Sequence, residues 1–350
     1  MLVSMTVYEI DPITDRRWAE FLSRHPEASV FHTSGWMEAL QRTYGYNPVV
    51  FTTSPPEAEL RNGLPFCRIA NWLTGRRLVS LPFSDHCAPL VESSAELQSL
   101  LKFLQREAAE KKWDYVEIRA GDFHLSGTEI FEKARAFAFH KLDLRPSFDE
   151  LFRSFHKDCV QRKIHRAERE GLTCEEGTDD SLLRKFYHLL LITRRRHGLA
   201  PQPVRWFKNL IACLGDRVKI WVASKDGSPL ASILTLRHQG TLVYKYGCSD
   251  HRFNNLGGTQ LLMWKAIQEA KNDQLDEFDL GRSDCDNPGL IAFKDRWGAA
   301  RSTLFYLRYP SSSAQTVRGA MQGSVTKYIF AHAPDSLLAA TGSVLYKYMG

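Results

Sequence analysis

Lys294 is the side chain whose surroundings most strongly suggest chemistry. It follows Phe293 and precedes the pair Trp297-Gly298, in a stretch expected to be buried. A buried ammonium group is costly unless it is paired or faces a ligand. Held in place, it could stabilise negative charge that develops on an oxygen during a reaction. The alternative is a Lys that extends to the surface or pairs with Asp279.

Polar side chains also lie at and beside the end of a predicted strand. Asp279 and Arg282 flank Gly281 there, and strand ends are where α/β proteins place ligand contacts. Asp279 could accept a proton from an amine or orient Lys294, and Arg282 could hold a phosphate or a carboxylate. A structural ion pair explains both residues nearly as well.

Tyr246 lies on the preceding strand, where it alternates with Tyr244. Its phenol could protonate a leaving thiolate, although core packing explains this position better.

A glycine-rich loop separates these two strands and is followed by an amphipathic helix. The loop residues that could contact a ligand are Asn254, Gly257, Gly258 and Thr259. The first amides of a helix lack partners and lie at the positive end of its dipole, and glycine lets the backbone approach an anion. The sequence therefore predicts either an anion site or a simple turn that caps the helix.

Composition limits the possible classes of protein. With 350 residues the chain is long for one domain, so two are expected, and 43% hydrophobic residues suffice for packed cores. The net charge of +6 and the pI near 8.9 suit a phosphate-bearing ligand or an anionic membrane face. Seven Cys without a CxxC pair favour a reducing cytosol, and we expect no metal site, signal peptide or membrane span.

Two basic stretches could line a groove for a nucleotide-sugar, a lipid pyrophosphate or tRNA. One is a predicted helix from Lys157 to Glu170, and the other is Arg194-Arg195-Arg196. Solvated helix faces explain such charges equally well. Acidic residues within the first stretch weaken the tRNA interpretation.

The order of predicted elements differs between the two halves. Strands alternate with helices in the first half, which favours an α/β fold. The second half has two or three helices, a three-stranded meander joined at Asp226-Gly227, the glycine-rich loop with its helix, a strand, a short helix and a last strand. Ser311-Ser312-Ser313 is a predicted linker, and the tail is predicted to hold two helices broken at Ala333-Pro334.

This order resembles the GNAT (Gcn5-related N-acyltransferase) fold, and several short motifs resemble its FemAB-like branch. Known members of that branch include peptidoglycan bridge-forming aminoacyltransferases, and similar proteins are encoded with exopolysaccharide machinery. The motifs, in chain order, are VFHTSGW from Val30, LVSLPFSDHCAPL from Leu78, YGCSD from Tyr246, FDLGRS from Phe278 and FKDRWG from Phe293.

The resemblance implies an α/β (α+β) fold of two tandem GNAT-like domains, each a mixed, mostly antiparallel sheet flanked by helices. The expected bounds are 1–147 for the first domain, 148–310 for the acyltransferase domain and 311–350 for a helical tail that packs back on the first domain. In the family, the glycine-rich loop holds the pyrophosphate of the acyl donor, and a Lys after Phe, here Lys294, lies at the active site. A carboxylate of the first half faces the acceptor, and Asp85 is the candidate; Ser283, in FDLGRS, is a further predicted substrate contact.

The resemblance implies an N-acyltransferase that uses acyl-CoA and acts by direct attack of an amine from a cell-envelope or polysaccharide-related acceptor. An aminoacyl-tRNA donor is the alternative within enzymes. A non-catalytic module in exopolysaccharide assembly is the alternative of another class, and it is favoured by Asn254 and Thr259, which stand where the family usually has Gln or Arg and Gly or Ala. We expect a cytoplasmic protein, with contact at the inner membrane face as an option through the tail helix, from Leu337 to Tyr348.

Overall fold

The computed structural model describes residues 5–72, 74–120, 130–310 and 330–350. The strands are β1 Tyr8–Ile10, β2 Asn47–Thr52, β3 Leu64–Asn71, β4 Gly75–Val79, β5 Tyr115–Arg119, β6 Glu132–Asp143, β7 Thr173–Gly177, β8 Val218–Lys225, β9 Ser228–His238, β10 Thr241–Ser249, β11 Glu277–Asp284 and β12 Ala300–Tyr309. The helices are α1 Arg16–Arg24, α2 Ser34–Tyr44, α3 Ser94–Glu110, α4 Phe148–Ser154, α5 Arg162–Arg169, α6 Asp180–Arg196, α7 Val204–Leu214, α8 Gly258–Asn272, α9 Pro288–Asp295 and α10 Asp335–Met349.

The described residues divide into two compact units. Unit 1 consists of the described residues within Met1–Phe137, Thr303–Ala320 and Tyr346–Gly350. Unit 2 consists of the described residues within Ala138–Ser302 and Met321–Leu345. The domain bounds expected from the family resemblance stay a prediction.

Unit 1 is a mixed sheet covered by helices. Its strand order is β1–β2–β3–β4–β5–β12, antiparallel except for the parallel pair β4 and β5. Helix α3 begins at a capping box in which the Ser93 hydroxyl accepts from the Glu96 amide and the Glu96 carboxylate accepts from the Ser93 amide. The Ser-x-x-Glu spacing is typical of this cap, and the leucines of α3 pack on the sheet in one apolar cluster.

Unit 2 has the strand order β6–β11–β10–β9–β8–β7 and includes helices α4 to α9. The pairs β7–β8, β8–β9 and β9–β10 are antiparallel, whereas β10 and β11 are parallel. Asp226 and Gly227 join β8 to β9 with φ of 49° and 76°, which matches the predicted tight hairpin. Helix α8 packs in an apolar cluster with Phe278 and Trp297.

Several elements differ from the sequence prediction. Strand β7 was not predicted because four of its five residues are exposed, so it lacks apolar alternation. The predicted basic helix is a π-helical turn, Lys157–Gln161, followed by the shorter α5. Its start is fixed by His156, whose Nδ1 accepts from the amides of Asp158 and Cys159.

Two further observations concern the described residues only. No helix among them is both long and apolar enough to cross a membrane. No group of three or more His, Cys, Asp or Glu within these ranges could hold a metal ion. The predicted Ser311-Ser312-Ser313 linker lies outside the described residues, as does most of the first predicted tail helix.

Candidate active site

The central feature of unit 2 is the divergence of strands β10 and β11. They pair in parallel from Thr241 with Glu277 to Val243 with Asp279. The register of β10 against β9 then shifts between Tyr244 and Tyr246, so Lys245 is an extra, bulged residue. A bulge bends its strand. The pairing recorded within the described strands ends at this point, although β10 and β11 continue to Ser249 and Asp284, so an opening forms between their carboxyl ends.

A cavity of about 340 Å³ lies at this opening. Tyr244 and Gly247 of β10 contribute one wall, and Leu290 and Phe293 of α9 contribute another. A Cβ on Gly247 would lie 1.7 Å from the phenol oxygen of Tyr244, so only glycine fits beside that ring. Burial raises the pKa of Tyr244 above its usual range, which keeps the phenol protonated. The size of the cavity is that of a small-molecule site.

The amino terminus of α8 also borders the cavity, through Gly258, Thr259 and Gln260. Gly257 precedes the helix with φ of 81°, and a Cβ there would lie 2.2 Å from the carbonyl oxygen of Lys163. Gly258 is similarly close, with an added Cβ 3.1 Å from the Cβ of Ala231. Gly257, as the N-cap residue, supplies no side-chain acceptor to this end of α8. Unpartnered amides and the helix dipole therefore favour an anion at this end.

Basic side chains strengthen the positive potential of the cavity. Lys163 and Arg196 line it, beside His197. Burial, together with the neighbouring arginines, lowers the pKa of His197 below its usual value. Asn254 holds the loop: its side-chain oxygen accepts from the Ser249 hydroxyl at 2.9 Å, and its carbonyl accepts from Lys163 Nζ at 3.5 Å.

Lys294 lies on α9 and is only 3% exposed. Its Nζ donates to the carbonyl oxygens of Gly281 at 2.8 Å and Arg282 at 3.0 Å. Both acceptors belong to the part of β11 that has diverged from β10. The ammonium group is therefore fixed against the end of β11, and it ties α9 to that strand.

The other residues of β11 that were predicted to be functional lie close to these two carbonyl groups in sequence. Asp279 is 1% exposed, and its Oδ1 accepts from the Gly281 amide at 2.6 Å. The guanidinium of Arg282 lies 3.8 Å from the carboxylate of Asp284. Ser283 is 2% exposed, and its hydroxyl has no hydrogen-bond partner among the described residues. The structure thus brings Asp279, Arg282, Ser283 and Lys294 together.

Tyr246 packs on the opposite face of β10 from Tyr244. Its hydroxyl accepts from Trp206 Nε1 at 2.9 Å, and its ring contacts Phe186 and Phe207 edge-on. The bulge at Lys245 causes this, because residues two apart on a regular strand share a face. The contacts match core packing, and a catalytic role for Tyr246 stays a prediction.

Asp85 belongs to unit 1, in a loop held by buried side chains. Arg119 donates to the carbonyl oxygens of Leu81 and Ser84 at 3.0 and 2.9 Å, and Tyr306 donates to that of Asp85 at 2.8 Å. Leu81 has φ of 48°, a left-handed value that these contacts hold in place. The acceptor role of Asp85 stays a prediction.

His140 on β6 was missed by the sequence analysis because β6 itself was not predicted. It is fully buried, with Nε2 3.0 Å from Asp295 Oδ1 and Nδ1 without a partner among the described residues. Burial and the nearby Lys294 ammonium lower the pKa of His140, and Asp295 opposes that shift only in part. The apolar run Phe137-Ala138-Phe139, buried together with His140, was the signal for this strand.

Residues 154–295 match the model of the acetyltransferase (GNAT) domain family. This stretch is similar to a GNAT domain. It includes the diverging strands, the open end of α8 and Lys294, and the match supports an acyltransferase in general terms. The predicted α/β (α+β) class and the GNAT resemblance are thereby confirmed.

Solved structures share the fold over most of the chain. FemX aligns with a TM-score of 0.69 and 16% identity, over 87% of this chain and 97% of FemX. L-PGS from Bacillus licheniformis aligns with a TM-score of 0.56 and 16% identity, over 91% of this chain and 98% of its own. A tandem GNAT protein from the clavulanic acid biosynthesis pathway aligns with a TM-score of 0.52 and 9% identity, over 89% of this chain and 100% of its own. At these identities the likeness is one of fold.

No curated protein matches the chain in sequence.

Proposed function

We propose that the protein is an N-acyltransferase of the FemAB-like kind. It would move an acyl or aminoacyl group from a thioester or ester donor to an amine, by direct attack and without a covalent enzyme intermediate. The observation that carries this proposal is the opening between β10 and β11 beside an uncapped α8 terminus, within a matched GNAT domain.

Acyl-CoA is the proposed donor, and the residues present fit it. Phosphates would meet the amides of Gly258 and Thr259, with Lys163 and Arg196 supplying positive charge. Gly257 leaves no room for a side chain, as expected where backbone closely approaches backbone. When bound, acyl-CoA supplies the thioester carbonyl that the amine attacks; the cavity walls of Leu290 and Phe293 would exclude water from it.

Roles for the polar residues follow from their positions. Lys294 would stabilise negative charge that develops in the transition state, since its ammonium is held in a low-dielectric setting. Asp279 would assist proton removal from the amine. Protonation of the leaving group by Tyr246 stays a prediction, because its hydroxyl accepts from Trp206 on the face of β10 opposite Tyr244. Arg282 and Ser283 would bind the acceptor, and a role for Asp85 stays a prediction.

The proposed acceptor is an amine of a cell-envelope or polysaccharide-related molecule. Support comes from the likeness to FemX and to a putative lysylphosphatidylglycerol synthetase from Agrobacterium fabrum, which aligns with a TM-score of 0.53 at 15% identity. A cytoplasmic location, with contact at the inner membrane face, is part of this proposal.

Ligand-induced thermal stabilisation of the full chain tests the donor. Acetyl-CoA, longer acyl-CoAs, aminoacyl-tRNA and UDP-sugars would be compared, and thiol release would be followed with amine acceptors. We expect saturable stabilisation by an acyl-CoA, weakened in Lys163→Glu, which alters the cavity, and retained in Lys157→Glu, an exposed site in the same basic stretch.

Two other results would replace this proposal. Stabilisation and transfer with aminoacyl-tRNA alone would assign the alternative donor. Stabilisation by a UDP-sugar with no transfer from any donor would indicate a non-catalytic binding module.

A further inference from the structure

A second groove, of about 340 Å³, lies between helices α6 and α7 of unit 2. Its lining residues differ from those of the cavity between β10 and β11. A pocket of this volume is at the lower end of the range that holds small molecules.

The floor of the groove is an apolar row along α6. Leu183, Tyr187 and Leu191 recur every four residues, so they lie one above another on one face. Leu183 and Leu191 are 3% and 7% exposed, and Val204 of α7 adds an apolar contact. From Leu183 to Leu191 the row extends about 12 Å at 1.5 Å per residue, a length that suits a medium-length alkyl chain.

The rim of the groove is cationic. Arg184 and His188 lie one turn apart on α6, beside the apolar row, and Lys208 lies on α7. These three side chains are exposed and form no ion pair or hydrogen bond with the part of the chain that the structure describes. By contrast, the next residue of α6, Lys185, pairs with Glu175. Asp180, at the start of α6, is the acidic residue of the lining.

We propose that this groove binds an amphipathic anion, with its alkyl chain on the apolar row and its carboxylate or phosphate head on Arg184 and Lys208. The arrangement supplies what each half of such a molecule needs: buried apolar surface for the chain and unpaired cations for the head. The site is separate from the proposed acyl transfer and does not depend on it.

Isothermal titration calorimetry of the full chain with octanoate and octyl phosphate tests this site. The headgroup that binds more tightly identifies a carboxylate or a phosphate source. Octan-1-ol is the neutral probe of the same chain length, and we expect it to bind at least tenfold more weakly than the better anion.

Charge-reversal variants distinguish binding in this groove from a nonspecific effect of the protein's positive charge. Arg184→Glu combined with Lys208→Glu should weaken anion binding at least tenfold. Arg205→Glu combined with Lys157→Glu changes the net charge equally at exposed positions outside the groove and should leave affinity within twofold. Val204→Trp should also reduce binding, because the larger ring would fill the groove at a half-exposed position.

The proposal is wrong if neither anion gives saturable heat, if octan-1-ol binds as tightly, or if the control pair weakens binding as much as the groove pair. Circular dichroism and the melting temperature of each variant establish that losses of binding are not losses of fold.

Discussion

Two buried nitrogen-containing side chains of unit 2 show how environment sets the state of a single residue. Lys294 keeps two backbone carbonyl partners, which offset part of the cost of burying its ammonium. His238, at the end of β9, has an Nε2 with no partner among the described residues. Burial, with the Arg217 guanidinium as a second cause, lowers the pKa of His238 to about 4.

Replacement of Lys294 by Met should lower kcat for acyl transfer by roughly 100-fold or more, the size typical of a lost charge-stabilising donor. It should also lower the free energy of unfolding by about 1–3 kcal/mol for each carbonyl left without a donor. Steady-state kinetics and urea denaturation measure the two effects. Lys265→Met, an exposed position on α8, is the control, and full turnover by Lys294→Met would remove Lys294 from the mechanism.

His238 should make unit 2 sensitive to acid. At pH 7 this histidine is neutral in both the folded and the unfolded protein. In the unfolded chain it gains a proton near pH 6.5, whereas in the folded protein it gains one only near pH 4. Stability is therefore lost as pH falls from 6.5 to 4, by up to about 3 kcal/mol. Urea denaturation should show a smaller loss in His238→Gln than in the wild type or in His251→Gln, an exposed control; equal losses in all three would contradict this assignment.

At the scale of elements, the bulge in β10 and the glycine before α8 shape the cavity together. The bulge ends the pairing with β11, and Gly257 lets α8 begin against the Lys163 carbonyl. Both the bulge and the glycine act through local backbone geometry and not through the burial of apolar surface.

Gly257→Ala should disturb the start of α8. The left-handed φ costs about 1–2 kcal/mol for a residue with a Cβ, and the contact with Lys163 adds to it. Gly171→Ala provides a matched control, because Gly171 has φ of 67° with nothing within 4 Å of an added Cβ. We expect both variants to lose stability in urea denaturation but only Gly257→Ala to lose donor binding by calorimetry; equal donor affinity in the two would refute the role of this helix end.

Sequence patterns predicted the elements that local rules control. The Asp226-Gly227 turn needs only neighbouring residues and appears as expected, and the capping box of α3 is equally local. Strand β7 has exposed side chains and is defined by its pairing with β8, a tertiary contact that no local pattern encodes. The same applies to the bulge at Lys245, which separates Tyr244 from Tyr246, and to the contact of His140 with Asp295 across a long stretch of sequence.

At the scale of the whole chain, unit 1 is assembled from segments far apart in sequence. Backbone carbonyl groups of its last segment accept hydrogen bonds from side chains of the first segment. The Tyr46 hydroxyl donates to the Lys347 carbonyl at 2.9 Å, and the Arg77 guanidinium donates to the Tyr348 carbonyl at 2.7 Å. Tyr46 is 3% exposed and Arg77 is 4% exposed. Burial raises the pKa of Tyr46 well above its usual range, so it remains a donor.

Deletion of residues 346–350 should destabilise unit 1 by several kcal/mol, because it leaves a buried hydroxyl and a buried guanidinium without these acceptors. Lys347→Ala is the control, since it removes an exposed side chain and keeps the carbonyl. Differential scanning calorimetry should show a lower melting temperature for the deletion alone. Equal melting temperatures for deletion and wild type would show that the terminal segment contributes nothing.

The segmented make-up of unit 1 also sets an order of events during synthesis. Strand β5 pairs with β12, whose Tyr306 lies opposite Arg119, and the terminal segment comes later still. A ribosome delivers the chain from its amino end, so β5 emerges well before the β12 strand with which it pairs. Unit 1 therefore closes only after most of unit 2 has been made, and its unpaired β5 edge is exposed to nascent-chain misassociation throughout that interval.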